Sequence, residues 1–325
     1  MSVHTARSAH DSQNTNAPAM RSAAAGEGAP RGEDAPRKER PWRRKGEANF
    51  DKPTLPGMIA RYTLMILIMF ITVGPFIWQL STSLKGPMED IYTFPPNLIP
   101  LEPTLANYGE VTRTIPVVSY AWHSLLVSVA TVITNVIFAT VAGYALASMR
   151  FRGKALIMGL ILSTLLLPAE VTLTSQYLTI KSLGLANTLA GVFLPTAVTA
   201  INVLLMTTAA ASVPPSIMDA AAIDGASTFQ RIRHILWPNV KGMASVVALM
   251  SFIQAWDDFL WPLVVLSDPA KYTLTVGMQY LNSTFGSNPR VVAAGTMIAL
   301  LPIILLFIST QKQFFRGVEA GGVKG

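Results

Sequence analysis

The chain of 325 residues contains no cysteine, which excludes disulfides, iron–sulfur clusters and thiol chemistry. Charged residues are scarce: they make up 13% of the chain, where a soluble globular protein carries about a quarter. The phosphate-cradling sequence G-x-x-x-x-G-K-[ST] occurs nowhere, so the chain is not expected to bind or hydrolyse ATP by itself, and no cofactor is expected. Histidine is limited to His4, His10, His123 and His234; two fall in the N-terminal tail and the other two on opposite sides of the membrane topology read below, so no metal cluster is expected. The net charge of +7 raises the question of nucleic acid. Its basic residues sit in a tail and in short loops, which membrane topology explains, so no nucleic-acid partner is expected.

What the chain does have is apolar residues, 51% of the total. Long runs lie near Met58–Leu84, Ala121–Met149, Ala155–Ile180, Leu185–Ala210, Met243–Leu266 and Val291–Phe314. Each reaches the roughly 20 residues needed to cross a bilayer, and a helix satisfies its own backbone there. The sequence therefore predicts an all-α polytopic membrane protein with about six transmembrane helices. The division between the third and fourth spans rests on the short turn Lys181–Gly184. Arg150, Arg152, Lys154, Arg231, Arg233, Lys241, Lys312, Arg316 and Lys324 fall on one side of this topology. Lys85, Arg113, Lys181, Lys271 and Arg290 fall on the other. The positive-inside rule then puts both termini in the cytoplasm of a multi-pass protein of the cell (inner or plasma) membrane.

Residues 1–52 are rich in Ala, Gly, Ser, Pro, Arg and Glu and are expected to form a disordered cytoplasmic tail, leaving 53–325 as the membrane domain. The basic stretch around Trp42 could instead lie on anionic lipid. Two connections on the opposite side, the proline-bearing and mostly non-helical 85–120 and the polar loop 267–290, could together receive an extracytoplasmic partner.

The most structured connection is expected within residues 211–242. Pro214 and Pro215 stop a span, and Ser216 with Asp219 reads as a capping box for a short helix. Ala220, Ala221 and Ala222 favour the helix and would let another surface approach its backbone, while Gly225 suits the left-handed position that ends it. Ser227 with Gln230 reads as a second capping box. Phe229, Ile232, Ile235 and Leu236 then share one helical face, and Pro238 is expected to end this helix before the fifth span. By physics alone the element is equally a docking hairpin or a connector lying against the spans.

Ionisable residues inside spans are costly and often functional. Glu170 follows Pro168, a candidate kink, in the third span, and Asp257 and Asp258 lie in the fifth between Trp256 and Trp261. Carboxylates beside aromatic faces suit a polyhydroxylated solute, so Trp256, Asp257, Asp258 and Trp261 are candidates for the translocation path. The competing view has them packing between helices or anchoring an interface. Asn135 and Asn202 read as interhelical hydrogen-bond partners.

The run from Asp219 to Ser227, with Ile235-Leu236-Trp237-Pro238 beyond it, resembles the "EAA" loop of binding-protein-dependent ABC importer permeases. Met218 and Asp219 stand where that family usually has two glutamates. Ser83-Leu84-Lys85 with Asn107-Tyr108, Tyr144–Ala147 with Phe151-Arg152-Gly153, and Trp256–Leu263 resemble the carbohydrate-uptake, MalG-type branch. So does the ending Phe314–Gly317 with Ala320–Gly325. The resemblance covers residues 58–325 and implies a MetI-like permease fold with a cytoplasmic coupling helix. It implies that Asp219, Ala220, Ala221, Asp224 and Gly225 couple the chain to an ATPase, and that the glycine-rich end reaches between ATPase subunits. The implied partners are a second homologous permease, two ATP-binding subunits and an extracytoplasmic solute-binding protein, all in or on the lipid bilayer. The implied function is ATP-driven import of a sugar. The alternatives are an ABC permease for a non-sugar solute such as glycerol phosphate, an ion- or proton-coupled secondary carrier, or a non-transporting anchor for an ATPase.

Overall fold

The computed structural model describes residues 55–322 except Pro96 and Ser287, with side chains described as far as Gln311. The tail expected over residues 1–52 lies outside the described residues, as do residues 323–325 of the glycine-rich end. By its contacts the chain divides into a unit ending at Met58 and one running from Ile59 to Gly325.

The described residues are helical, without strands. In chain order they form α1 (Leu55–Leu84), α2 (Ala106–Thr114), α3 (Val117–Ser148), α4 (Lys154–Thr164), α5 (Ala169–Ser182), α6 (Leu189–Phe193) and α7 (Ala200–Ala211). After these come α8 (Pro215–Ile223), α9 (Thr228–Arg231), α10 (Trp237–Asp257), α11 (Leu260–Val265), α12 (Leu274–Phe285) and α13 (Pro289–Gly322).

Among the described residues four helical stretches are long and apolar enough to cross a membrane: Leu55–Leu84, Val117–Ser148, Thr228–Asp257 and Pro289–Gln311. The third and fourth spans read from the sequence are not straight rods. The α4–α5 pair bends by 105°, and the pair made by Leu189–Thr196 and α7 bends by 47°. Counting each bent pair as one span gives six. Proline explains the first break, since it lacks an amide hydrogen and clashes with the preceding turn; the second follows a 3₁₀ turn that contains a proline. Pro168 precedes α5, and Pro195 sits in the 3₁₀ turn Leu194–Thr196. The fifth run is interrupted too: α10 stops at Asp257, and Asp258 is extended before α11 begins.

α3 is the central post, packing along α7 and α10, while α10 also packs along α13. At one end of α3, Tyr144, Leu146, Met206, Ala210, Met218, Leu236 and Val240 share a buried core. At the other, Val111, Tyr120, Trp256, Leu274, Leu281 and Val291 form a second. α3 and α7 meet at Gly143, where a Cβ would stand 2.8 Å from the carbonyl carbon of Met206. By contrast α1 keeps nearly all its apolar side chains exposed until Ser81–Ser83, Trp78 being half-buried, as suits a helix surrounded by lipid or another subunit.

Residues 85–120 are mostly non-helical, as expected, with only the short α2 and the start of α3 within them, whereas 267–290, expected to be a loop, consist largely of the helix α12. α12 buries Leu274, Val276, Gly277 and Leu281, a helical spacing hidden among the polar residues of 267–290. α2 is held against the end of α1 by the motif noted in the sequence: Asn107 donates to the carbonyls of Ser83 (2.9 Å) and Lys85 (3.0 Å), and the Ser83 and Tyr108 hydroxyls are 2.8 Å apart. Beside them Lys85 is buried and pairs with Glu89 at 3.7 Å, and Arg290 at the start of α13 donates to the Glu89 carbonyl.

A buried amide secures the break before α7. Asn135 on α3 donates to the Thr196 carbonyl at 2.7 Å and accepts from the Thr199 amide at 3.0 Å, so two backbone groups freed by the bend are satisfied. Asn202 donates to Asn135 at 2.9 Å and to Ser251 of α10 at 3.0 Å, joining three helices. Asn135→Leu strips partners from both backbone groups and is expected to cost roughly 2 kcal/mol or more. Asn202→Leu, which orphans no backbone group, is expected to cost less. Thermal unfolding of the detergent-purified protein checks the order: an equal or smaller drop for Asn135→Leu would remove the role given to the bend.

Candidate functional site

Two regions gather the residues singled out in the sequence. The first is a hairpin at the α8 end of α3. The helix α8 begins with Pro214 as N-cap and Pro215 in its first turn, with no side-chain cap. The capping box expected from Ser216 and Asp219 is therefore not formed. Proline suits the first helical position because its φ is preset and its missing amide would be unpaired there anyway. At the other end the Gly225 amide donates to Ala222 O (3.2 Å) and the Ala226 amide to Ala221 O (2.9 Å). Gly225 has φ +80°, so the helix ends in a Schellman turn. The second capping box forms: the Gln230 amide donates to Ser227 Oγ, and the Ser227 amide donates to Gln230 Oε1 at 2.7 Å.

Met218 is buried in the core shared with residues of α3, α7 and α10. Its neighbours Asp219, Ala220, Asp224 and Gly225 are exposed, and Ala221 is half-buried. Ile223 is 87% exposed at the tip. Asp219 shares a hollow of about 270 Å³ with Arg150 and Lys154. Asp224 and Gly225 edge another, of about 330 Å³, with Gln230 and His234.

Beyond the hairpin the expected stop at Pro238 does not occur. Ile232–Leu236 form a π turn, in which the Trp237 amide reaches the Ile232 carbonyl. The wider turn makes room for the proline ring. Helix then continues from Thr228 to Asp257 without a break. Leu236 is buried and Ile232 and Ile235 half-buried, but Phe229, expected on the same face, is exposed.

The second region is a cleft of about 440 Å³ where α5, the 3₁₀ turn Leu194–Thr196 and the α10–α11 break come together. It brings Asp257, Asp258 and Trp261 to one place and adds Glu170, Gln176, Gln254 and Thr131. Asp258 is held at both main chain and side chain: its carbonyl accepts from Thr275 Oγ1 at 2.7 Å, and its Oδ1 accepts from the Trp261 amide at 3.4 Å. Trp261 forms a wall, its indole donating to the carbonyls of Gly191 (3.2 Å) and Val192 (3.0 Å). Trp256 lies apart from the cleft. It is 3% exposed, stacks on Phe252 at 5.6 Å and donates to the Ala299 carbonyl of α13 at 3.1 Å.

Among the described residues no three His, Asp or Glu side chains converge closely enough to hold a metal ion. Glu170 stands out in the sequence as a carboxylate within a span, but nothing local joins it to Asp257. Gln176 and Gln254 carried a signal, as amides within apolar segments, and Thr131 carried none.

Residues 54–319 match the family described as "Binding-protein-dependent transport system inner membrane component". The arabinooligosaccharides transport system permease protein of Halalkalibacterium halodurans is 30% identical over 265 residues, covering 79% of this chain and 93% of that protein. The sulfoquinovosyl glycerol transport system permease protein of Agrobacterium fabrum is 28% identical, covering 83% and 95%. The fold also matches a chain of a bacterial ABC transporter that imports the acidic polysaccharide alginate. That match has a TM-score of 0.69 and 23% identity, and covers 79% of this chain and 96% of the other.

Proposed function

We infer function from membership: this chain belongs to the family of binding-protein-dependent transport system inner membrane components, and it is a membrane-spanning subunit of an ATP-driven importer. It is a permease and not an enzyme; the ATP is hydrolysed by a separate subunit, and this chain holds no nucleotide. The solute is a sugar, as the names of the relatives suggest. It is delivered by an extracytoplasmic binding protein and passes between this chain and a second, homologous permease. Two ATP-binding subunits complete the complex.

The hairpin is the coupling element and lies in the cytoplasm with both termini. Asp219, Ala220, Ala221, Asp224 and Gly225 are its contact residues. The observation that carries this reading is the hairpin itself, capped at its turn, anchored by buried Met218 and presenting small and acidic residues outward. Apolar Ile223 at the tip, so exposed, is suited to burial by a partner. When the ATPase subunits close on ATP they draw the hairpins together and turn the spans outward; release turns them inward.

Two measurements test it. Uptake into membrane vesicles should require ATP and survive collapse of the ion gradients. A photocrosslinker at position 220 should capture a nucleotide-hydrolysing subunit in native membranes. Uptake that runs on an ion gradient alone would replace the importer by a secondary carrier.

A further inference from the structure

The cleft bounded by α5 and the α10–α11 break has a one-sided chemistry. Glu170, Asp257 and Asp258 line it together with the amides of Gln176 and Gln254, and its lining includes no Lys, Arg or His. Its volume of about 440 Å³ falls within the range of small-molecule sites, roughly 300–1,000 Å³. Thr131 lines it as well: the residue is 2% exposed, and its hydroxyl has no hydrogen-bond partner among the described residues. An unpaired buried hydroxyl costs free energy unless something pairs with it. No ion pair or metal cluster among the described residues neutralises the three carboxylates.

Ionised carboxylates only accept hydrogen bonds, whereas an amide both donates and accepts. Acceptors therefore outnumber donors on these walls. The complementary ligand brings many donors: a polyol, or an amino sugar. A carboxylated, sulfonated or phosphorylated solute would set acceptor against acceptor and like charge against like charge. Low-dielectric walls lengthen the reach of that repulsion, since a cleft of one sign concentrates counter-charges and excludes co-charges.

We propose that this cleft is an electronegative selectivity passage, which admits neutral or cationic polyhydroxylated solutes and rejects anionic ones. The proposal rests on the importer reading for its biological sense and narrows the substrate: glycerol phosphate and sulfonated or uronate sugars fall outside it.

The absence of native cysteine in this chain allows a direct test. Ala169, exposed in the cleft lining, is changed to cysteine in the complete complex, and Ser283, exposed on α12, serves as the outside reference. Each is modified with methanethiosulfonates of similar size carrying a trimethylammonium or a sulfonate group, with the complex of the unsubstituted chain as background. The ratio of cationic to anionic rates cancels any change in thiol acidity. At position 169 it should exceed the ratio at 283 by about tenfold or more and shrink at high salt. Glu170→Gln alone should lower it, and Glu170→Gln with Asp257→Asn and Asp258→Asn should bring it to the reference. Equal ratios at the two positions, or a ratio indifferent to these substitutions, overturns the proposal. The readout needs no transport. A failed ATP test would thus leave the passage standing, and a neutral cleft in an ATP-driven importer would remove the filter alone.

Discussion

Ala220→Trp and Gly225→Val should each lower ATP-driven uptake by at least about tenfold while the permease still accumulates in the membrane. That loss is what a centrally placed contact gives, since a hot-spot residue is worth about 2 kcal/mol or more. Neither change should unfold the chain. Ala220 is exposed, and a Cβ at Gly225 meets nothing within 4 Å. At Gly225 the added cost is backbone strain, since φ +80° disfavours a β-branched residue by about 1–3 kcal/mol, and that strain deforms the turn itself. Recovery of the ATPase subunit with the purified permease should fall in parallel with uptake. Full uptake in both variants, at normal permease levels, would mean that this hairpin is a connector and that the motor grips elsewhere.

Gly143→Val acts by the opposite route and should deplete the folded permease itself. Its first added carbon would lie 2.8 Å from the Met206 carbonyl carbon and 2.9 Å from the Thr207 nitrogen. Backbone cannot swing aside as a flexible side chain does, so α3 and α7 must move apart. Helices in membranes hold together chiefly through such close packing at small residues. Overpacking ordinarily costs about 1–3 kcal/mol, and this site should lie at or above the top of that range because α3 is the post for both α7 and α10. The expected outcome is loss of the monodisperse complex in detergent and early aggregation on heating. Gly143→Ala should show the same defect in weaker form. Normal yield and melting of the valine variant would show that the two helices separate freely.

The hairpin was legible because its signals are local. Gly225 at the turn and Ser227 with Gln230 act within a few residues, and both perform as the sequence indicates. Ser216 did not cap because Pro215 had already taken the first turn, a contest between two equally local signals. Pro238 misled for a different reason: a proline rule assumes an ordinary α-turn, and the chain inserted a wider one. The 105° fold between α4 and α5 was only half visible. Pro168 announced a kink, but the turn Leu165–Leu167 is made of leucines and carries no turn chemistry.

The cleft was the least legible part. Its members come from segments distant in sequence, and helices apolar on every side give no hint of which face turns inward. Consecutive positions on a helix point about 100° apart, so Trp256 could pack on α13 while Asp257 entered the cleft. Asp258 enters it as the extended residue between α10 and α11, a break no periodicity foretold.

The 30-residue helix from Thr228 to Asp257 has a mechanical corollary. At 1.5 Å per residue it is a pushrod about 45 Å long, seated on the hairpin at one tip and reaching a carboxylate of the cleft at the other. Stiff secondary elements pass displacement along their length. Under the coupling role proposed for the hairpin, a displacement at Thr228 would be carried along this helix toward Asp257, and the extended residue Asp258 is the joint at which it would act on the cleft.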